Sequence, residues 1–128
     1  MPANTVSSEI ILVEDDEATR VAYSRLLEAH GYQVAAFDNV GGALDLARTG
    51  YGRLLLTDVK LRTGEPHGVT LALMIRLSRP DLPIILMTAY PELRTLIDPT
   101  LGPLLAKPVD PDTMLSAVRT ALRGGLDA

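Results

Sequence analysis

Four aliphatic runs in this sequence end in groups that can do chemistry. The run at 10–13 passes into Glu14, Asp15, Asp16 and Glu17, and the run at 54–56 into Thr57 and Asp58. The run at 84–87 passes into Thr88 and Ala89, and a weaker run at 104–106 into Lys107 and Pro108. Crowded carboxylates repel, so the first cluster is either a solvated turn or the holder of a cation. Asp15, Asp16 and Asp58 together offer oxygen ligands suited to Mg²⁺, which keeps several waters and takes a few carboxylates plus phosphate oxygens. A carboxylate can also attack a phosphoryl group if the charge on the equatorial oxygens is stabilised. Mg²⁺, the Lys107 ammonium, and the Thr88 hydroxyl with nearby backbone N–H groups could supply that stabilisation. A free aspartate is ionised at neutral pH, so Asp58 is expected to need no separate base. Singly, each group has a plainer use: acids in turns are solvated, a strand-terminal Asp or Thr caps a helix, and a Lys before Pro lies on the surface. Their shared placement at strand ends is what gives them weight.

The runs are short and unalternated, as in strands buried on both faces. The stretch 33–38 reads as a further strand, less apolar and nearer an edge. Between strands, Ala18, Val21, Ala22, Leu26 and Ala29 recur at helical spacing, with Gly31 as the terminator; Val40, Ala43, Leu44 and Ala47 repeat the pattern. Leu71, Met74 and Ile75 do so before Pro80, and Leu115, Val118 and Leu122 before Gly124 and Gly125. Pro91 can start a helix that Pro99 must end, so the fourth helix is expected to be short. Five alternations of strand and helix predict a doubly wound parallel α/β sheet, whose ligand site lies beyond the carboxyl ends of the strands.

The 128 residues suit one domain, with loose tails expected over the first eight and last five. Cysteine is absent, which removes disulfide and thiolate chemistry. A net charge of −4, with one Phe, four Tyr and no Trp, argues against a nucleic-acid surface built on cations and stacking rings. No signal-peptide pattern and no membrane-length apolar run is seen, so a cytoplasmic location is expected.

The motifs ILVEDD, LLLTDVKL, IILMTAY and LLAKPVD, in that order, resemble those of the receiver domains of bacterial two-component response regulators. The resemblance covers about residues 9–123 and implies a flavodoxin-like (βα)5 sheet of strand order 2-1-3-4-5. It implies Asp58 as phosphoacceptor, with Asp15, Asp16 and the Lys60 backbone carbonyl holding Mg²⁺, or Mn²⁺ in its place. Thr88 would be the switch hydroxyl, Lys107 the partner of the phosphoryl group, and Lys107–Pro108 a cis peptide. A histidine kinase or histidine phosphotransfer protein would donate the phosphoryl group, and a downstream protein would read the face formed by the fourth helix, fifth strand and fifth helix. Such a domain turns over no external substrate and loses its phosphoryl group slowly. Neither nucleic acid nor membrane is an expected direct partner, and the output would lie in protein binding or elsewhere.

The sequence departs from that pattern in three places. Leu104 stands where the family usually has an aromatic residue that moves with the Thr; Tyr90 is the candidate substitute, with Ala89 between them on the access side. The loop after Asp58 carries Arg62 where Pro is common, and His67 reads as a loop residue. The stretch YPELRTLIDPTLGP compresses the fourth helix. Glu14 is expected only to finish its strand, and Glu17 to favour a helix N-terminus. Among other classes, a haloacid-dehalogenase-type phosphatase would need an Asp at position 60, where Lys60 stands. A flavodoxin would need a phosphate cradle where the Glu14–Glu17 acids repel one. A receiver-like binding module that works without phosphorylation is the remaining alternative.

Overall fold

The computed structural model describes residues 9–60 and 67–127, without the side chains of 124–127. The expectations about the first eight residues and Arg62 fall outside the described residues. Five strands, β1 (Glu9–Val13), β2 (Gln33–Phe37), β3 (Leu54–Asp58), β4 (Ile84–Thr88) and β5 (Leu104–Ala106), make one parallel sheet in the order β2-β1-β3-β4-β5. This is the expected doubly wound order. Four α-helices among the described residues cover it: α1 (Glu17–Ala29), α2 (Val40–Arg48), α3 (His67–Ser78) and α4 (Pro111–Asp127). No helix among the described residues is long and apolar enough to cross a membrane.

The unalternated runs are buried on both faces because the sheet is a central layer. Ile11, Val13, Leu55, Ile84 and Leu86 face the side packed by α2 and α3. Ile10, Leu12, Leu54, Leu56, Ile85 and Met87 face the side packed by α1 and α4. Register pairs Val13 with Thr57 and Asp58 with Met87, so the carboxyl ends of β1, β3 and β4 are level. Strand order reverses at β1, which opens the crevice between β1 and β3 at that rim.

The inner face of α1 differs from expectation. Tyr23 and Leu27 are buried, Leu26 is half-buried, and Val21 and the alanines at 18, 22 and 29 are exposed. The alanines form as good a helical stripe as the true one, but a tyrosine and a leucine bury far more apolar surface and so decide which face turns inward. Asp16 caps this helix, and Gly31, at φ 93°, follows it as expected. The His30 ring lies 3.0 Å from the Leu26 carbonyl at the same end.

The fourth helix is replaced by two 3₁₀ turns, Pro91–Leu96 and Pro99–Leu101. Pro99 disfavours helical backbone at the residue before it, and Ile97 and Asp98 are both extended, so six residues are all that can coil. The Asp98 carboxylate accepts from the Thr100 N–H, and the Arg76 guanidinium donates to the Leu101 carbonyl, fastening the second turn to α3. Two smaller expectations are also corrected. His67 is the first residue of α3 rather than a loop residue. The last helix runs past Gly124 to Asp127, since glycine lowers helix stability by only about 1 kcal/mol and does not by itself end a helix.

At the opposite rim, Arg79 closes the floor of the sheet by donating to the carbonyls of Ala47, Tyr51 and Gly52. Replacing Arg79 with Ala would leave three carbonyls to find water. The urea midpoint should fall by the equivalent of about 2 kcal/mol with an unchanged slope. An unshifted midpoint would show that these bonds contribute nothing net.

Candidate acidic site at the carboxyl rim

The site begins where β1 ends. The Glu14 backbone N–H still pairs with Phe37 of β2, so Glu14 prolongs the strand, and its side chain is fully buried. Its carboxylate lies 2.7 Å from Lys107 Nζ and also accepts from the Asp16 N–H at 3.2 Å. Asp58 is the last residue of β3 and 6% exposed. Lys107 Nζ donates to its Oδ2 at 3.0 Å, so one ammonium bridges two buried carboxylates. Carboxylate oxygens of Glu14, Asp15 and Asp58 all lie within 4.8 Å of one another.

The group brought together is therefore not the Asp15, Asp16 and Asp58 expected from the run of acids. Asp16 is exposed and turned to the helix: its carboxylate accepts from Thr19 N at 2.9 Å and Thr19 Oγ1 at 2.7 Å. Those bonds hold its pKa below the usual carboxylate value. Glu14, expected to have no role, occupies the shared space instead. Its signal in the sequence is faint, an acid directly after an aliphatic run, one place earlier than the pair chosen.

The ionisation of Asp58 also departs from expectation. Burial, and then the charge of Glu14, push its pKa up to about 7 against the pull of Lys107. Burial beside Glu14 thus works against the ionisation of Asp58, and Lys107 works for it. For Lys107, burial acts downward, but its hydrogen bonds to Glu14 and Asp58 win and leave its pKa raised. Three carboxylates against one ammonium leave the site with surplus negative charge.

Backbone geometry fixes these side chains. Val59 N–H donates to Met87 O, and Gly68 N–H to Val59 O, tying the end of β3 to β4 and to the first turn of α3. A Cβ on Gly68 would collide with the Asp58 carbonyl, so only glycine lets α3 start this close to the acceptor strand. Lys107 N–H donates to Thr88 O at 2.7 Å, and the Lys107–Pro108 peptide is cis, as expected.

Thr88 ends β4, is buried, and accepts from Tyr90 N–H through its hydroxyl at 2.9 Å. Ala89 is exposed and Tyr90 half-exposed; Lys60 Nζ sits 4.9 Å from the centre of the Tyr90 ring, in cation–π range. Lys60 and Tyr90 thus meet two residues beyond Asp58 and two beyond Thr88. Leu104 opens β5 opposite Leu86 and packs on the apolar cluster beneath α3.

A sequence profile of the response regulator receiver domain matches residues 10–119. The chain is 29% identical over 117 residues to the phosphoglycerate transport system transcriptional regulatory protein PgtA of Salmonella typhimurium, covering 89% of this chain and 28% of PgtA. The CheY-like receiver domain protein of Methanospirillum hungatei superposes with a TM-score of 0.84 at 27% identity, over 94% of this chain and 97% of its own. The response regulator TrrA of Thermotoga maritima, solved in complex with Mg(2+)-BeF, gives 0.80 at 25% identity, over 89% and 98% of the two chains. The chain thus spans little more than a quarter of PgtA, a transcriptional regulatory protein.

Proposed function

Because the chain belongs to the response regulator receiver domain family, we propose that it is a phosphoacceptor switch in which Asp58 takes a phosphoryl group from a histidine kinase or histidine phosphotransfer protein in the cytoplasm. The observation that carries this reading is the Lys107 ammonium bridging Asp58 and Glu14 beside a third carboxylate. A deprotonated Asp58 oxygen forms a bond to phosphorus while the bond from phosphorus to the donor's imidazole nitrogen breaks, the electron pair leaving with that nitrogen. Lys107, already 3.0 Å from Asp58 Oδ2, follows the charge onto a phosphoryl oxygen.

A divalent cation fits the donor set, which is all oxygen and carries excess negative charge. Glu14, Asp15 and Asp58, with the Lys60 carbonyl, would hold Mg²⁺ or Mn²⁺, and Asp16 would serve as the cap of α1. When bound, the cation supplies charge that offsets the repulsion between Glu14 and Asp58 and neutralises part of the phosphoryl group. A protein solved with Mg(2+)-BeF on the same fold supports Mg²⁺ as the cation.

Thr88 would exchange the Tyr90 N–H for a phosphoryl oxygen, shifting the loop that Tyr90 and Lys60 close over the site. That pair would also set how fast water removes the phosphoryl group, with no turnover of an external substrate. The reading face would be the two 3₁₀ turns, β5 and α4. A phosphorylation-independent binding module is the second reading, favoured by Leu104, which is half-buried against the core where a mobile aromatic would be needed.

The ligand assignment separates two neighbouring acids. Asp15→Asn should weaken Mg²⁺ binding by roughly tenfold or more and slow labelling by acetyl phosphate in proportion, whereas Asp16→Asn should leave Mg²⁺ affinity within about twofold and lower only thermal stability. A Mg²⁺ titration that ranks the two variants the other way would return Asp16 to the site in place of Asp15.

A further inference from the structure

Lys107 reaches Glu14 and Asp58 from a three-residue edge strand, so its placement depends on what holds the backbone on either side. On one side the Lys107 N–H is fixed to Thr88 O at 2.7 Å. On the other, Pro108 has no N–H, and the next backbone donor is that of Val109. Val109 is buried, and its N–H donates to the hydroxyl of Tyr23 at 3.3 Å.

Tyr23 is itself 9% exposed and belongs to the apolar cluster with Val109, Met114 and Met87. It stands on α1, the helix whose N-cap, Asp16, directly follows the acidic pair. One helix therefore adjoins both groups, its N-cap Asp16 donating its N–H to the Glu14 carboxylate and its Tyr23 hydroxyl accepting from the lysine segment.

Resting on the phosphoacceptor reading, we propose that the Tyr23 hydroxyl is a positioning residue for the phosphoryl transfer: it fixes the Lys107–Val109 segment so that the ammonium meets Asp58. A phenylalanine there would fill the same space but leave a buried backbone N–H without an acceptor. The segment would then move to find water, and Lys107 would move with it. The hydroxyl's effect on the chemistry therefore runs entirely through Lys107.

The test is a double-mutant cycle in which the rate of labelling by acetyl phosphate and Mg²⁺ is followed by intact mass for wild type, Tyr23→Phe, Lys107→Met and the double variant. Tyr23→Phe should slow labelling roughly fivefold, the size expected for losing one buried hydrogen bond, with Mg²⁺ affinity within about twofold of wild type. In the Lys107→Met background it should slow labelling no further. Amide exchange at Val109 should also quicken in Tyr23→Phe while the rest of α1 keeps its protection.

A labelled wild type with equal rates for wild type and Tyr23→Phe would overturn the proposal, as would a loss of equal size with and without Lys107, which marks Tyr23 as merely structural. Unchanged Val109 exchange would overturn it too. A wild type that takes no label would instead overturn the phosphoacceptor reading on which the proposal stands.

Discussion

Replacing Lys107 with Ala is expected to destabilise the metal-free protein by about 2–3 kcal/mol at pH 8, although only one partly buried side chain is shortened. The ammonium is the only cation within salt-bridge distance of Glu14 and Asp58 among the described residues, and their side chains are 1% and 8% exposed. Without it, two buried carboxylates face each other with no compensation. Asp58 can escape by binding a proton, so its folded-state pKa should rise above the present value of about 7. An acid whose folded pKa is raised lowers stability as pH climbs from its unfolded pKa to its folded one. The deficit of the variant should accordingly be larger at pH 8 than at pH 5, and added Mg²⁺ should recover part of it. Urea melts at the two pH values check this. A deficit independent of pH would mean that Lys107 contributes packing rather than charge.

The opposite sign is expected for Asp58→Asn. Burial and Glu14 raise the Asp58 pKa from 3.8 to about 7, so in wild type this group costs nothing below pH 4 and an increasing amount up to pH 7, and the cost stays constant above that. Asparagine keeps the shape and an oxygen for Lys107 but carries no charge. The variant should exceed wild type in stability by about 2 kcal/mol at pH 8 without metal, a figure set below the full shift because solvent and Lys107 relax around the charge. The gain should fade towards pH 4. Saturating Mg²⁺ should narrow it, because the cation stabilises the wild-type site by mass action and has one ligand fewer in the variant. A variant less stable than wild type at pH 8 would show that the ion pair with Lys107 outweighs the burial of Asp58. Together the two substitutions describe a site that gives up stability to bury Asp58 beside Glu14.

Much of the fold could be read from residue pattern. The unalternated runs at 10–13, 54–56 and 84–87 marked strands buried on both faces, and Pro91 and Pro99 marked the place where the fourth helix fails. Sheet order came from the resemblance to receiver domains, not from pattern, because short apolar runs carry no information about which neighbours they pair with. Asp58 and Lys107 were legible as rim residues because Lys107 directly follows a run and Asp58 stands one residue beyond one. The choice among Glu14, Asp15 and Asp16 was not, since it depends on the bond from Glu14 N–H to Phe37 O, a contact 23 residues distant in sequence that carries β1 one residue further. Tyr23 was hidden for a different reason: alanines at 18, 22 and 29 make a rival helical stripe, and the spacing of apolar residues alone does not weigh it against the larger surface that Tyr23 and Leu27 bury with Val109 and Met114. The upward push on the Asp58 pKa was not legible either, because composition says nothing about burial.

Intact mass after incubation with acetyl phosphate and Mg²⁺ tests the central claim most directly. The wild-type chain should gain one phosphoryl group, lose it slowly on standing, and gain none in EDTA, while Asp58→Ala should gain none under any condition. A wild type that stays unlabelled, or an Asp58→Ala variant labelled as fully as wild type, would contradict the assignment of Asp58 as the phosphoacceptor.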